Sequence, residues 1–220
     1  GGRWCPGGAA GGGVGGGGGM WRVDGSGVPR VVEYTAAGAF AWAPDGSNLL
    51  VRHPVRSWTD YPSGSDPKPM TFSADWAVYL GPQSGYAFLD QSRLARVLPD
   101  GGTVTIADGV GHAAVSADLN RIAFTQLTSS GDEIRAYDVQ LRAQYRIQSE
   151  TATVGDLAWS PDGTRLGYLL DGPAAGQRSL RVRSLTGGAS SKTGTGGQVG
   201  EVAWLANWTG MPPNPKALGA

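Results

Sequence analysis

Four aspartates, Asp45, Asp75, Asp118 and Asp162, recur along the 220-residue chain, each closing a short run of apolar, small and aromatic residues. Carboxylates repeated at an interval could hold a metal ion or work in pairs as acid and base. The residues around them favour a plainer role. In Ser160-Pro161-Asp162-Gly163 the proline fixes φ, the glycine tolerates a positive φ, and the aspartate can accept neighbouring backbone N–H groups. Turn formation therefore accounts for these aspartates. His53 and His112 lie 59 positions apart without an H-x-x-x-H pattern, and Cys5 is the single cysteine, which excludes an intrachain disulfide and a thiolate metal centre. No metal or cofactor is expected.

Other chemical motifs fall away on spacing. There is no G-x-S-x-G, so no self-contained nucleophile elbow is present. Asp24-Gly25-Ser26-Gly27 and Asp100-Gly101-Gly102 lack the spaced ligand series of a calcium loop and read as hairpin turns. The "GTGG" at 194–197 lacks the Lys-Ser/Thr of a phosphate loop, and Asn207-Trp208-Thr209 fits a glycosylation acceptor.

Self-similarity shows what the aspartates belong to. "GAFAWAPD" (38–45), "GHAAVSAD" (111–118), "GDLAWSPD" (155–162) and "GEVAWLAN" (200–207) align without gaps, and "KPMTFSAD" (68–75) is a fifth copy lacking the leading glycine. Their closing residues fall at 45, 75, 118, 162 and 207, spaced by 30, 43, 44 and 45. Most copies lead into a second apolar run ("NLLVRH", "WAVYLG", "RIAFTQ", "RLGYLL"), and further hairpins follow, such as "RLARVLPDGGTVTIA" and "IRAYDVQLRAQYRIQ". The runs are short, rich in β-branched and aromatic residues and bounded by turn formers, so they are predicted as strands, about four per unit. That is the period of a β-propeller blade. The expected fold is all-β, with four-stranded antiparallel blades, about five in number; a piece of a six- or seven-bladed ring is the alternative. The spacing of 30 before Asp75 predicts a degenerate, roughly three-stranded blade. Residues 20–34 are expected to pair with 201–205 and close the ring, although "GMPPNPKALG" carries three prolines that would break a ladder.

"WSPDGTRLGY" and "WAPDGSNLLV", with the hairpin "WRVDGSGVPRVV", resemble the PD40 repeat of TolB-type, WD40-like β-propellers over roughly residues 20–210. The resemblance implies a protein-interaction scaffold without catalysis, usually in the periplasm or cell envelope. Two other functions stay open on the residues. One is a substrate-gating propeller of a larger, prolyl-oligopeptidase-like peptidase. The other is a glycan- or small-ligand-binding or hydrolytic propeller, which would require apposed carboxylates of Asp156 and Glu201.

Within the repeat, Trp42, Trp159, Trp204 and Phe72 share one position and are expected to pack blade on blade, while Ala41, Ala114, Ala158, Ala203 and Thr71 face the other way. The second position varies most: Ala39, Pro69, His112, Asp156 and Glu201. These five are expected at the mouth of the central channel, as the ligand- or partner-binding positions. "TQLTSSGDE" (125–133) and "LLDGPAAGQR" (169–178) are expected to be the longest loops of the rim.

The remaining composition bounds the partners. Lys+Arg and Asp+Glu balance at 18 each with no run of one sign, which argues against a nucleic-acid surface. No apolar stretch reaches 18 residues, which argues against a membrane-spanning helix. Twelve of the 37 glycines lie in residues 1–19, a stretch expected to be a disordered tail, with Met20 as a candidate start and no secretion-signal pattern around it. Residues 211–220 are expected to be a Pro-rich C-terminal tail.

Overall fold

A computed structural model describes residues 3–6, 20–23, 29–33, 39–43, 48–62, 65–174, 177–187 and 191–196. All regular structure among them is β. β1 (Arg3–Pro6), β2 (Met20–Val23) and β3 (Pro29–Glu33) form a three-stranded antiparallel sheet. β1 lies inside the glycine-rich stretch and pairs with β2 from Arg3 opposite Val23 to Pro6 opposite Met20. The rest of residues 1–19, expected to be a disordered tail, lies outside the described residues.

Four four-stranded antiparallel blades follow. Blade I holds β4 (Ala39–Trp42), β5 (Asn48–Arg52), β6 (Ser57–Pro62) and β7 (Lys68–Ser73). Blade II holds β8 (Trp76–Tyr79), β9 (Tyr86–Asp90), β10 (Arg93–Val97) and β11 (Thr103–Ala107). Blade III holds β12 (Val110–Val115), β13 (Arg121–Thr128), β14 (Gly131–Asp138) and β15 (Ala143–Glu150). Blade IV holds β16 (Val154–Trp159), β17 (Arg165–Asp171), β18 (Arg178–Ser184) and β19 (Ser191–Gly196). In each blade the strands pair in chain order, so every connection is a hairpin. The first strands are innermost: β12 packs against β16, and β4 and β5 pack against β8. This is propeller architecture. The proposed closure through 201–205 lies outside the described residues.

The frame of blades I and II corrects the repeat. "KPMTFSAD" forms β7, the outer strand of blade I, with Pro69 opposite Thr59 on the edge, where a missing N–H costs no ladder bond. "WAVYLG" is the first strand of blade II rather than a second strand, and no blade among these four is degenerate. A shared hydrogen bond sets the true register: Ala43 N–H to Asn48 O, Leu80 N–H to Gly85 O, Ser116 N–H to Arg121 O and Ser160 N–H to Arg165 O, at 2.8–2.9 Å. The second position in blade II is thus Trp76. The spacing of 30 arose from counting an outer strand as an inner one.

Cores form between blades. Phe72 of β7 stacks on Phe88 of β9 with centroids 4.6 Å apart. Leu94, Ile106, Ile122 and Phe124 join blades II and III, and Ala123, Ile134, Leu157, Trp159 and Tyr168 join III and IV. The "TQLTSSGDE" loop is almost entirely strand: β13 and β14 pair as far as Thr128 opposite Gly131, leaving Ser129 and Ser130 as the turn. Leu169–Asp171 likewise belongs to β17, which shortens the second expected rim loop to 172–177.

Candidate functional site

The second repeat position acquires its geometry from a bulge. In β12, Val110 pairs with Gln126 and Ala113 with Phe124, so Gly111 and His112 together oppose Thr125. In β16, Val154 pairs with Leu170 and Leu157 with Tyr168, so Gly155 and Asp156 together oppose Leu169. Two residues against one twist the strand locally and re-aim the side chain. At Gly111 the bulge leaves little room for a side chain, whereas a Cβ on Gly155 would lie 3.5 Å from the Leu169 Cβ, an ordinary contact. A Cβ on Gly111 would stand 3.0 Å from Thr125 Oγ1, and that hydroxyl oxygen accepts the His112 backbone N–H at 3.0 Å. Blade I has no such bulge, since Ala39 opposes Arg52 and Phe40 opposes Val51 in regular register.

His112 is exposed and Asp156 half-buried, and because β12 packs on β16 they occupy equivalent bulges of adjacent inner strands. Both stand near the start of their strands, at the third residue of β12 and of β16. Ala39 lies on β4, separated from both by blade II, and Pro69 is displaced to the outer edge of blade I. Glu201 lies outside the described residues, and with it the proposed apposition to Asp156. His53 sits in the turn after β5, its Nε2 2.9 Å from Thr59 Oγ1. Among the described residues, no three His, Cys, Asp or Glu side chains come together to hold a metal ion.

The aspartates divide into two kinds. Asp118 and Asp162 close equivalent turns: Ser116 Oγ donates to Asp118, Ser160 Oγ to Asp162, and the backbone N–H groups of Asn120 and Thr164 donate to the same carboxylates. The hydroxyl of Ser160 and the N–H of Thr164 favour the ionised form and hold Asp162 down at about 2. Burial acts to raise Asp118, but the bonds from Ser116 and Asn120 and the charge of Arg121 outweigh it and leave that carboxyl below its ordinary value. Asp75 belongs to the linker between blades I and II, where it accepts Arg56 in a fork at 2.7 and 2.9 Å. The same guanidinium reaches Asp90 at 2.7 Å and so joins the two blades. Asp45 lies outside the described residues.

Trp159 packs blade on blade as its repeat position implies. It is 7% exposed, its indole N–H donates to Ala114 O at 3.1 Å, and the Arg121 guanidinium lies 4.7 Å above its ring. Sequence reasoning passed over Arg56, Arg96 and Arg121, which all cross between blades; an arginine in a strand carries no local signal of its long-range partner.

No family model matches the chain, and no curated protein matches it. Solved structures do resemble it. TolB from Acinetobacter baumannii aligns with a TM-score of 0.53 at 16% identity, over 76% of this chain and 46% of that one. The β-propeller domain of Cps50 (Swd1) from Myceliophteria thermophila aligns with a TM-score of 0.55 at 11% identity, over 83% of this chain and 67% of that one. The tricorn protease aligns with a TM-score of 0.53 at 15% identity, over 76% of this chain but 20% of that one. The chain thus spans about half the length of that TolB and a fifth of the protease. At these identities the likeness concerns the fold, a TolB- and WD40-like β-propeller.

Proposed function

We propose that this β-propeller domain is a non-catalytic scaffold that binds a protein partner over the inner-strand face where His112 and Asp156 stand. The observation that carries the reading is the matched pair of bulges, which places two chemically different side chains at equivalent positions on adjacent blades. A rigid scaffold that varies residues at one fixed position is how binding surfaces commonly arise. The fold likeness to TolB supports this reading. The balanced charge supports a protein rather than a nucleic acid as partner, and no membrane insertion is invoked. The likeness to part of the tricorn protease favours a second reading, a gating domain attached to a peptidase.

A photo-crosslinking residue placed at His112 in the full chain, expressed in its host, separates the two. The scaffold reading expects one discrete protein adduct, absent when the crosslinker sits at Tyr145 on an outer strand and reduced by Asp156→Ala. A peptidase domain in the adduct supports the second reading. Equal adducts from both positions, or turnover of a peptide or glycoside by the purified chain, would contradict a non-catalytic inner-face scaffold.

A further inference from the structure

Arg96 of β10 is 3% exposed, yet its guanidinium meets no carboxylate among the described residues. Its Nη1 donates to Tyr137 Oη at 3.3 Å and Val139 O at 3.1 Å, and its Nη2 donates to Ser84 O at 2.8 Å. A guanidinium has five N–H donors; these three bonds leave one on Nη2 and the one on Nε, which has no partner. Among the described residues three other buried Nε atoms lack a partner, but Arg52 and Arg135 each ion-pair with a carboxylate, and Arg181 is only half-buried. Among the described residues, Arg96 alone combines deep burial with a permanent positive charge and only neutral acceptors. Burying a charge without a counter-ion is costly.

The side chain is not sealed in. It lines two adjoining hollows between blades II and III, of about 160 and 490 Å³, which share Arg96, Leu98 and Arg142. The smaller has walls of Leu98, Ile106 and Tyr137. Arg142 is exposed and is held at φ 54°, the left-handed region that a long side chain seldom adopts. Asp100 also lines the larger hollow, but it forms no ion pair with either arginine, and its Oδ1 accepts the Gly102 N–H at 2.9 Å. Beside Arg142, Leu141 is 77% exposed.

We infer that this cleft between blades II and III is a carboxylate-binding site, in which a carboxylate on a short aliphatic stem supplies the counter-ion of Arg96 and is gripped at the mouth by Arg142. Planar forks match carboxylates with two donors at once. Leu98, Val104 and Ile106 on the smaller hollow offer packing for a stem of CH₂ groups, which a fully hydrated inorganic anion lacks. The carboxylate could belong to a free dicarboxylate or to an acidic side chain of another protein, and the test has an arm for each.

The probes are sodium glutarate, an N-acetylated and C-amidated peptide bearing one glutamate, its glutamine counterpart, and inorganic phosphate, each titrated by calorimetry at matched ionic strength. Binding of the glutamate peptide but not the glutamine peptide assigns the source to a protein segment. Binding of glutarate alone assigns it to a small molecule. In either case Arg142→Gln, an exposed change that leaves the fold intact, weakens binding about tenfold, and Arg96→Lys, with circular dichroism unchanged, weakens it further because the fork is lost. The inference is overturned if neither carboxylate binds, if Arg142→Gln leaves affinity unchanged, or if phosphate binds more tightly than both.

Discussion

The contacts between blades III and IV and between blades II and III fill the same structural role by opposite means. At the III–IV contact the charge is peripheral: Arg121 lies over the Trp159 ring, ion-pairs with Asp118 at 3.8 Å, and the indole fills the space beneath. At the II–III contact the charge is internal: Arg96 crosses the gap to two carbonyls and a hydroxyl, without a carboxylate and with hollows on its flank. A tryptophan closes its interface by filling volume, whereas the Arg96 guanidinium closes its own by hydrogen bonds and a position 5.8 Å from the Tyr137 ring centroid, and leaves volume open. The first contact stabilises the stack of blades. The second can bind.

That contrast can be broken most forcefully at Trp159. Trp159→Ala removes the ring that seats Arg121 and should destabilise the domain by about 3–5 kcal/mol in urea unfolding. A loss below about 1 kcal/mol would show that the III–IV contact does not depend on it. Arg96→Met should cost less, about 2 kcal/mol, since it keeps the apolar stem but strands the Ser84 and Val139 carbonyls. If it proves the costlier of the two, the II–III contact is the structural one and the comparison is inverted.

Gly163 offers a finer probe of the III–IV side. It sits at φ 65°, and a Cβ there would meet Arg121 Nη2 at 2.5 Å. Gly163→Ala should therefore cost about 1 kcal/mol, part backbone strain and part displacement of a flexible side-chain end. An unchanged unfolding midpoint would show that the turn has room to relax.

The turn carboxylate gives a pH signature. Asp162 is held at about 2 in the folded chain, below its ordinary 3.8. A depressed folded value contributes stability that is present above about pH 4 and is lost as pH falls from there toward 2. Asp162→Asn should flatten the fall of the melting temperature in that window. An identical pH profile would deny the Ser160–Asp162–Thr164 network its role. Smallest of all, Arg142→Gln should change stability by less than about 0.5 kcal/mol, because the side chain is exposed and makes no described ion pair.

Much of blades III and IV was legible in the residues. The Ser-x-Asp turns at 116–118 and 160–162, the flanking apolar runs and the packing tryptophan are local patterns, and a repeat amplifies them. Blade II was misframed because its turn, Leu80-Gly81-Pro82-Gln83, has lost the aspartate, while the outer strand "KPMTFSAD" mimics the spacing of an inner one. The bulges were invisible, because the same glycine leads His112 and Asp156, which are bulged, and Ala39, which pairs in regular register. The Arg96 cleft left no trace. Its contacts span 41 and 43 positions, and nothing local marks one arginine among many as buried without a carboxylate.

The contrast between the two contacts is tested most directly by following the arginine Nε–H resonances of Arg96 and Arg121 in nitrogen-15 NMR titrations with the glutamate peptide and with glutarate at constant ionic strength. The cleft predicts a saturable shift of Arg96 in at least one titration, with Arg121 unmoved. Equal shifts of both resonances, or movement of neither in either titration, would contradict it.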